Sequence, residues 1–170
     1  MSAAGIAQYV ARALGFAGAV CGIRMVIRLA RWAATGGRPD WRRELRRLLQ
    51  TGYLAALTEI IALRGGPGAV RALQPVPLRT TLEELRAGAW PFAYHVAGNM
   101  IWFVPLGMIL SRRRTIWQTL AIGAAVSLGL EAMQWMLGTG VSDVDDVLLN
   151  ALGALLGAAL YQALRGRSKT

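Results

Sequence analysis

Apolar residues along the chain gather into long runs separated by short polar segments, and the runs have the length of helices rather than strands. Three of them, Trp90–Leu110, Ile116–Leu137 and Val144–Leu164, come close to the ~20 residues a helix needs to cross about 30 Å of hydrocarbon. A fourth, Leu48–Leu63, is shorter and carries Glu59, yet nothing else explains its apolarity. The first, Ile6–Ile27, is interrupted by Arg12 and Arg24, whose long stems let the charged heads reach opposite interfaces. The pattern predicts an all-α, polytopic helical membrane protein with five transmembrane helices, four being the alternative. A cleaved leader is a poor reading of the first run, because no basic segment precedes it. One long connection, Arg64–Gly88, contains Gly65, Gly66, Pro67, Pro75 and Pro77, which argue against a continuous helix. Its Thr81-Leu82-Glu83-Glu84 could start a short interfacial helix with Thr80 or Thr81 as N-cap, but a simple surface loop is the preferred expectation. No internal repeat or second domain is evident, so a single transmembrane domain over residues 1–170 is expected.

Composition sharpens this picture. The chain is 55% hydrophobic and only 16% charged, with a mean hydropathy of +0.40, which argues against both a soluble globular domain and a disordered one. A net charge of +10 would ordinarily suggest nucleic acid. Here the basic residues sit in clusters between apolar runs instead of along one face, so no nucleic-acid partner is expected. The lone Cys21 excludes disulfide scaffolds and cysteine-based zinc sites. Loop charge then sets the orientation. Arg28, Arg31, Arg38, Arg42, Arg43, Arg46 and Arg47 lie between the first two runs, Arg112–Arg114 between the third and fourth, and Arg165, Arg167 and Lys169 after the last. The alternate connections hold only Arg64, Arg71, Arg79 and Arg86, partly offset by Glu83 and Glu84. Five spans therefore place the C-terminus in the cytoplasm and the N-terminus outside, with the basic loops resting on anionic headgroups. Arginine outnumbers lysine 18 to 1 beside many Ala and Gly, a composition typical of a GC-rich bacterial genome, and the bacterial cytoplasmic membrane is the expected location.

A charge at the centre of a spanning helix costs about 2.5–3.5 kcal/mol on insertion scales, so polar residues within the runs need a reason. Glu59, His95, Asn99, Glu131 and Gln134 are such residues, and Asp143, Asp145, Asp146 and Asn150 open the last run. Counting helical rise from the outer ends puts Glu59 about 6 Å deep, Glu131 about 9 Å, Asn150 about 10 Å and Asn99 about 13 Å. Comparable depths on four helices suggest one polar cluster open to the outside. Glu131 and Gln134 share a helix face, and Asp143, Asp146, Asn150, Gly153 and Gly157 form one stripe. The stripe is polar at its outer end, while its Gly153 and Gly157 form a small-xxx-small face for close helix packing. Plainer readings exist for each residue. Glu59 could pair with Arg64; His95, without a second histidine, is a packed imidazole more readily than a metal ligand. Asn99 and Gln134 could bridge helices for about 0.6–2 kcal/mol each. Asp143, Asp146 and Asn150 could simply complement the helix dipole. Asp145 falls off the stripe and is expected in water. For Glu131 together with the aspartates, a functional role is the preferred reading.

The residues from His95 to Leu160 resemble the VanZ-like family of small bacterial membrane proteins. Asn99 followed by Phe103-Val104-Pro105-Leu106-Gly107, the pair Glu131 and Gln134, and the run Asp143, Asp145, Asp146, Asn150, Gly153 and Gly157 match that family's pattern in order and spacing. The resemblance places a family core at about residues 90–165. Family members often carry an Arg just before the acidic run, and Leu137–Ser142 has none. The family is named for a protein associated with low-level teicoplanin resistance, so the resemblance implies a cell-envelope role and a contribution to glycopeptide resistance. Three functions follow. The first is a non-enzymatic envelope protein whose polar cluster binds an envelope lipid or lipid-linked precursor. The second is a membrane enzyme with Glu131 as general acid or base, and Asp143 and Asp146 holding a divalent cation or polar headgroup. The third is a small transporter, which the short, repeat-free chain disfavours unless it oligomerises. No nucleophile motif, phosphate loop or histidine pair is present, and neither a cofactor nor a bound metal is expected.

The orientation is directly testable. A tag at Thr170 is expected to report the cytoplasm, and a cysteine introduced as Gly140→Cys to react from outside; reaction only after the membrane is breached would reverse the orientation.

Overall fold

Six helices and one pair of short strands account for the regular structure of the described residues, 3–37, 39–63 and 71–167 of a computed structural model. They fall into two compact units, Met1–Arg64 and Gly65–Thr170. In the first, α1 (Ala3–Thr35) and α2 (Trp41–Ala62) form an antiparallel hairpin. The second helix starts where Asp40, in extended backbone, accepts the Arg43 amide at 3.1 Å, an N-cap that satisfies one of the donors a helix start leaves open. Charges mark both ends of the pair. Arg12 donates to Glu59 at 2.7 Å at one end, and Arg28 donates to Glu44 at 2.9 Å at the other. Helical rise separates Glu44 from Glu59 by about 22 Å. Arg64, the partner expected for Glu59, lies outside the described residues; the Glu59 carboxylate is taken by Arg12 instead.

The second unit contains β1 (Ala72–Gln74), α3 (Arg79–Ala87), α4 (Ala89–Leu110), α5 (Ile116–Leu137), β2 (Val141–Asp143) and α6 (Val144–Arg167). Thr115 and Gln118 exchange hydrogen bonds in a capping box that starts α5. Gly138 ends it with φ +63°, a left-handed turn that suits glycine, as its amide returns to the carbonyls of Gln134 and Trp135. The strands pair in parallel, with Leu73 opposite Ser142. The segment expected to be a simple surface loop thus carries a strand and a helix. Gly65, Gly66 and Pro67 lie outside the described residues; Pro75 and Pro77 precede Arg79, and the helix then runs for nine residues to a cap at Gly88. Leu82 and Leu85 remain exposed along it. Glu83 accepts from Arg79 at 2.9 Å, and that hydrogen bond, with the charge behind it, raises the guanidinium's pKa.

Among the described residues, α1 over Val10–Thr35, α4, α5, and α6 over Val144–Gly166 are long and apolar enough to cross a membrane. The protein is a polytopic helical membrane protein. Four spans meet that description, the alternative count from the sequence. Leu48–Leu63 lies in α2, whose first turns carry Arg42, Arg43, Glu44, Arg46 and Arg47 and keep it out of that group.

Backbone contact between α4 and α6 organises the second unit. A Cβ added at Gly153 would fall on the Met100 carbonyl, and one at Gly157 on the Val104 carbonyl. A Cβ at Gly107 would in turn fall on the Ala154 carbonyl. Met100 and Val104 meet Gly153 and Gly157 in the same order, so α4 and α6 run parallel, and α5 returns antiparallel with Gly123 against Ala154. Ala154 and Ala158 are fully buried there. Gly153→Ala or Gly157→Ala must therefore push two backbones apart, at an expected cost of about 1–3 kcal/mol. Thermal melting in detergent checks this: an unchanged midpoint for both variants would mean the helices are not in backbone contact.

Candidate functional site

The loop between α5 and α6 is where the polar residues of the second unit meet. Asp143 sits at the start of α6 and its Oδ1 accepts the Asp145 amide at 2.8 Å, the bond an N-cap makes. Its other oxygen accepts the Thr80 hydroxyl from α3. Glu131 reaches across from α5: its Oε2 accepts the Asp143 amide at 3.0 Å, and its carbonyl accepts the Ser142 hydroxyl at 2.7 Å. The Asp143 carboxylate thus holds an amide of this turn and a hydroxyl of α3, while Glu131 holds the turn through its carboxylate and its main-chain carbonyl.

Asp145 overturns an expectation. It is 1% exposed rather than solvated. Its carboxylate accepts the amides of Leu78 and, at 2.8 Å, Thr81. Leu78 precedes α3 in left-handed backbone (φ 65°) and has no capping side chain of its own, so an aspartate 67 positions downstream caps the helix. Neither Thr80 nor Thr81 is the N-cap: both lie within α3, and Thr80 donates to Asp143. Helical phase missed Asp145 because phase describes packing along a helix, whereas a first-turn residue can turn towards a neighbouring element. The missed signal was the acidic run itself, since exposed backbone amides at a helix start seek carboxylates.

The remaining predicted residues follow the stripe. Asn99 of α4 donates to Asp146 Oδ1 at 2.9 Å and to the His95 carbonyl at 3.1 Å. Asn150, fully buried, donates to Ser127 of α5 at 2.8 Å. Gln134 is also fully buried, and a Cβ at Gly140 would strike its side-chain amide. A cysteine for accessibility labelling therefore belongs at the exposed Val141 rather than at Gly140. The His95 ring has a buried Nε2 with no hydrogen-bond partner among the described residues. Glu59 belongs to the first unit, with Arg12. Glu131, Gln134, Asp143, Asp146 and Asn150 are all buried, so the polar cluster is closed where an open one was expected. Among the described residues, no group of three or more His, Cys, Asp or Glu is placed to hold a metal ion.

Beside this closed cluster lies an open groove of about 280 Å³. Leu120 of α5 and Leu148, Leu149 and Leu152 of α6 form its apolar walls, and Thr81 and Asp145 also line it. The Thr81 hydroxyl is buried and has no hydrogen-bond partner among the described residues.

A family model described as VanZ/LLP1 matches residues 51–165, two-thirds of the chain and all of the elements just described from α3 to the last turns of α6. The chain belongs to the VanZ/LLP1 family. No curated protein and no solved structure matches it. In this VanZ/LLP1 protein a guanidinium does reach the connection after α5, although Leu137–Ser142 contains no arginine. Arg71, just before β1, donates to the Met136 carbonyl at 2.7 Å and lies over the Trp135 ring at 5.1 Å. Cations favour helix C-termini, but the sequence does not bring the two segments together without the β1–β2 pairing.

Asp145→Ala removes the foreign cap from α3 and leaves two amides unpaired, at an expected cost of about 0.5–2 kcal/mol. A lowered melting midpoint checks this. A midpoint equal to the parent's would return Asp145 to the solvated role first expected of it.

Proposed function

We propose that this VanZ/LLP1 protein is a lipid-binding component of the bacterial cell envelope, resident in the cytoplasmic membrane, that holds an envelope lipid or lipid-linked precursor without transforming it. The observation that carries this reading is the groove. Its leucine walls suit an acyl chain, and the buried Thr81 hydroxyl beside it has unused hydrogen-bonding capacity for a polar group that enters there. The acidic turn supports it from behind, because Asp145 both caps α3 and contributes to the groove wall. An altered susceptibility to teicoplanin-type glycopeptides is the phenotype this binding would produce. The enzymatic alternative is less well supported: Glu131 is 3% exposed and its Oε2 holds the Asp143 amide, an arrangement suited to fixing a turn rather than exchanging protons with a substrate.

Mass spectrometry of lipids retained by gently purified protein tests the proposal. Leu152→Trp, which fills the groove, is expected to abolish retention of the bound lipid with little change in melting. Thr81→Val keeps the side-chain volume and removes the hydroxyl, and should weaken retention roughly two- to tenfold, the worth of one hydrogen bond. Drug-susceptibility assays on the same variants should follow the lipid. Unchanged retention in both well-folded variants would remove the groove as the binding site.

A further inference from the structure

The other unit carries a second polar assembly, of opposite sign. Arg24 and Arg28 stand one turn apart on α1, and Glu44 and Arg47 nearly one turn apart on α2, so the hairpin brings all four side chains together. The Glu44 carboxylate, 3% exposed, accepts from Arg28 at 2.9 Å, Arg47 at 3.2 Å and Arg24 at 3.5 Å. One negative charge thus faces three guanidiniums, two of them less than a third exposed. Nothing else in this unit supplies the balance. Its other acidic residues are Asp40 and Glu59, and these face Arg43 and Arg12 respectively. The Nε–H groups of Arg24 and Arg28 are buried and have no acceptor among the described residues. Burying a guanidinium donor without an acceptor is costly, and a part-buried excess of positive charge is costlier still. Trp32, a turn beyond Arg28 and 5.1 Å beneath its guanidinium, meets Trp41 edge-on at 5.5 Å. Tryptophans of this kind sit at the headgroup level of a bilayer.

We propose that the α1–α2 hairpin binds the phosphate of an anionic membrane lipid at Arg24, Arg28 and Arg47, with Glu44 as the buried strut that holds the three guanidiniums in place. The missing acceptor has to be anionic, rich in oxygen and available at the membrane surface, and the phosphodiester of a headgroup that carries no cation of its own meets all three requirements, whereas choline would add a further positive charge to the site. Guanidinium forks match its geometry two bonds at a time. Interhelical basic pockets are known lipid-headgroup sites in membrane proteins. This site is independent of the groove in the second unit, since it takes a charge rather than an acyl chain as its recognised feature.

The full-length protein, purified with phosphatidylglycerol or with phosphatidylcholine, tests the proposal by native mass spectrometry. Phosphatidylglycerol is expected to survive on the protein and phosphatidylcholine to be lost; equal retention would overturn the proposal. A generic surface arginine attracts anionic lipid by about fivefold. Arg31→Gln, on the same helix but exposed, supplies that baseline. Arg28→Gln should lower retention by tenfold or more, and a loss no larger than that of Arg31→Gln would mean diffuse attraction instead of a site. Arg28→Lys guards against misfolding by keeping the charge and giving up only the fork. It should also lose most of the retained lipid, and full retention in it would count against the geometry. Inorganic phosphate at millimolar concentration should leave the bound lipid in place; displacement would identify free phosphate, not lipid, as the ligand.

Discussion

Carboxylates held away from water must find their hydrogen-bond donors within the protein, and this requirement shapes the second unit. Asp143, Asp145 and Glu131 are all buried, and the donors they find are mainly backbone amides: Asp145 for Asp143, Leu78 and Thr81 for Asp145, Asp143 for Glu131. The bonds to Asp145 and to Glu131 each tie one segment of chain to another. Together they clamp the strand-and-helix segment from Ala72 to Ala87 onto the ends of the long helices. The parallel contact of α4 and α6 sets where that clamp falls, because the glycines of α6 that allow it begin about two turns below Asp146 on the same stripe.

The polar and apolar parts of the structure therefore divide the work. The stripe on α6 fixes the helices at its glycine end and the clamp at its acidic end. Beside the stripe, α3, once held by Asp145, helps wall an apolar groove. In this arrangement the residues most conspicuous in the sequence are supports, and the less conspicuous leucines of α6 line the open groove.

Much of this architecture was legible in the sequence. The predicted limits of α5 match its observed limits, α4 begins one residue earlier than predicted, and α6 continues three residues beyond Leu164. Hydropathy reads such helices well because each buries its backbone hydrogen bonds internally, so length and apolarity are enough. The periodic stripe also placed Asp146 and Asn150 on the face that meets α4 and α5. What the sequence hid were contacts between distant segments. The foreign cap at Asp145, the reach of Arg71 to Met136 and the pairing of Glu59 with Arg12 join residues more than forty positions apart. Local rules of capping and spacing cannot see such partners. They favoured Thr80 or Thr81 as the cap, and Arg64 as the ion-pair partner, because those residues were near in sequence.

The clamp makes a claim about individual amides. Hydrogen exchange resolved at Leu78, Thr81 and Asp143 in the intact protein measures it directly, since each of these amides donates to a carboxylate and none to its own helix. The account predicts that all three are protected far above loop rates and are released together. Exchange of Leu78 and Thr81 at the rate of an open loop, with Asp143 still protected, would show that the acidic turn stands without holding α3.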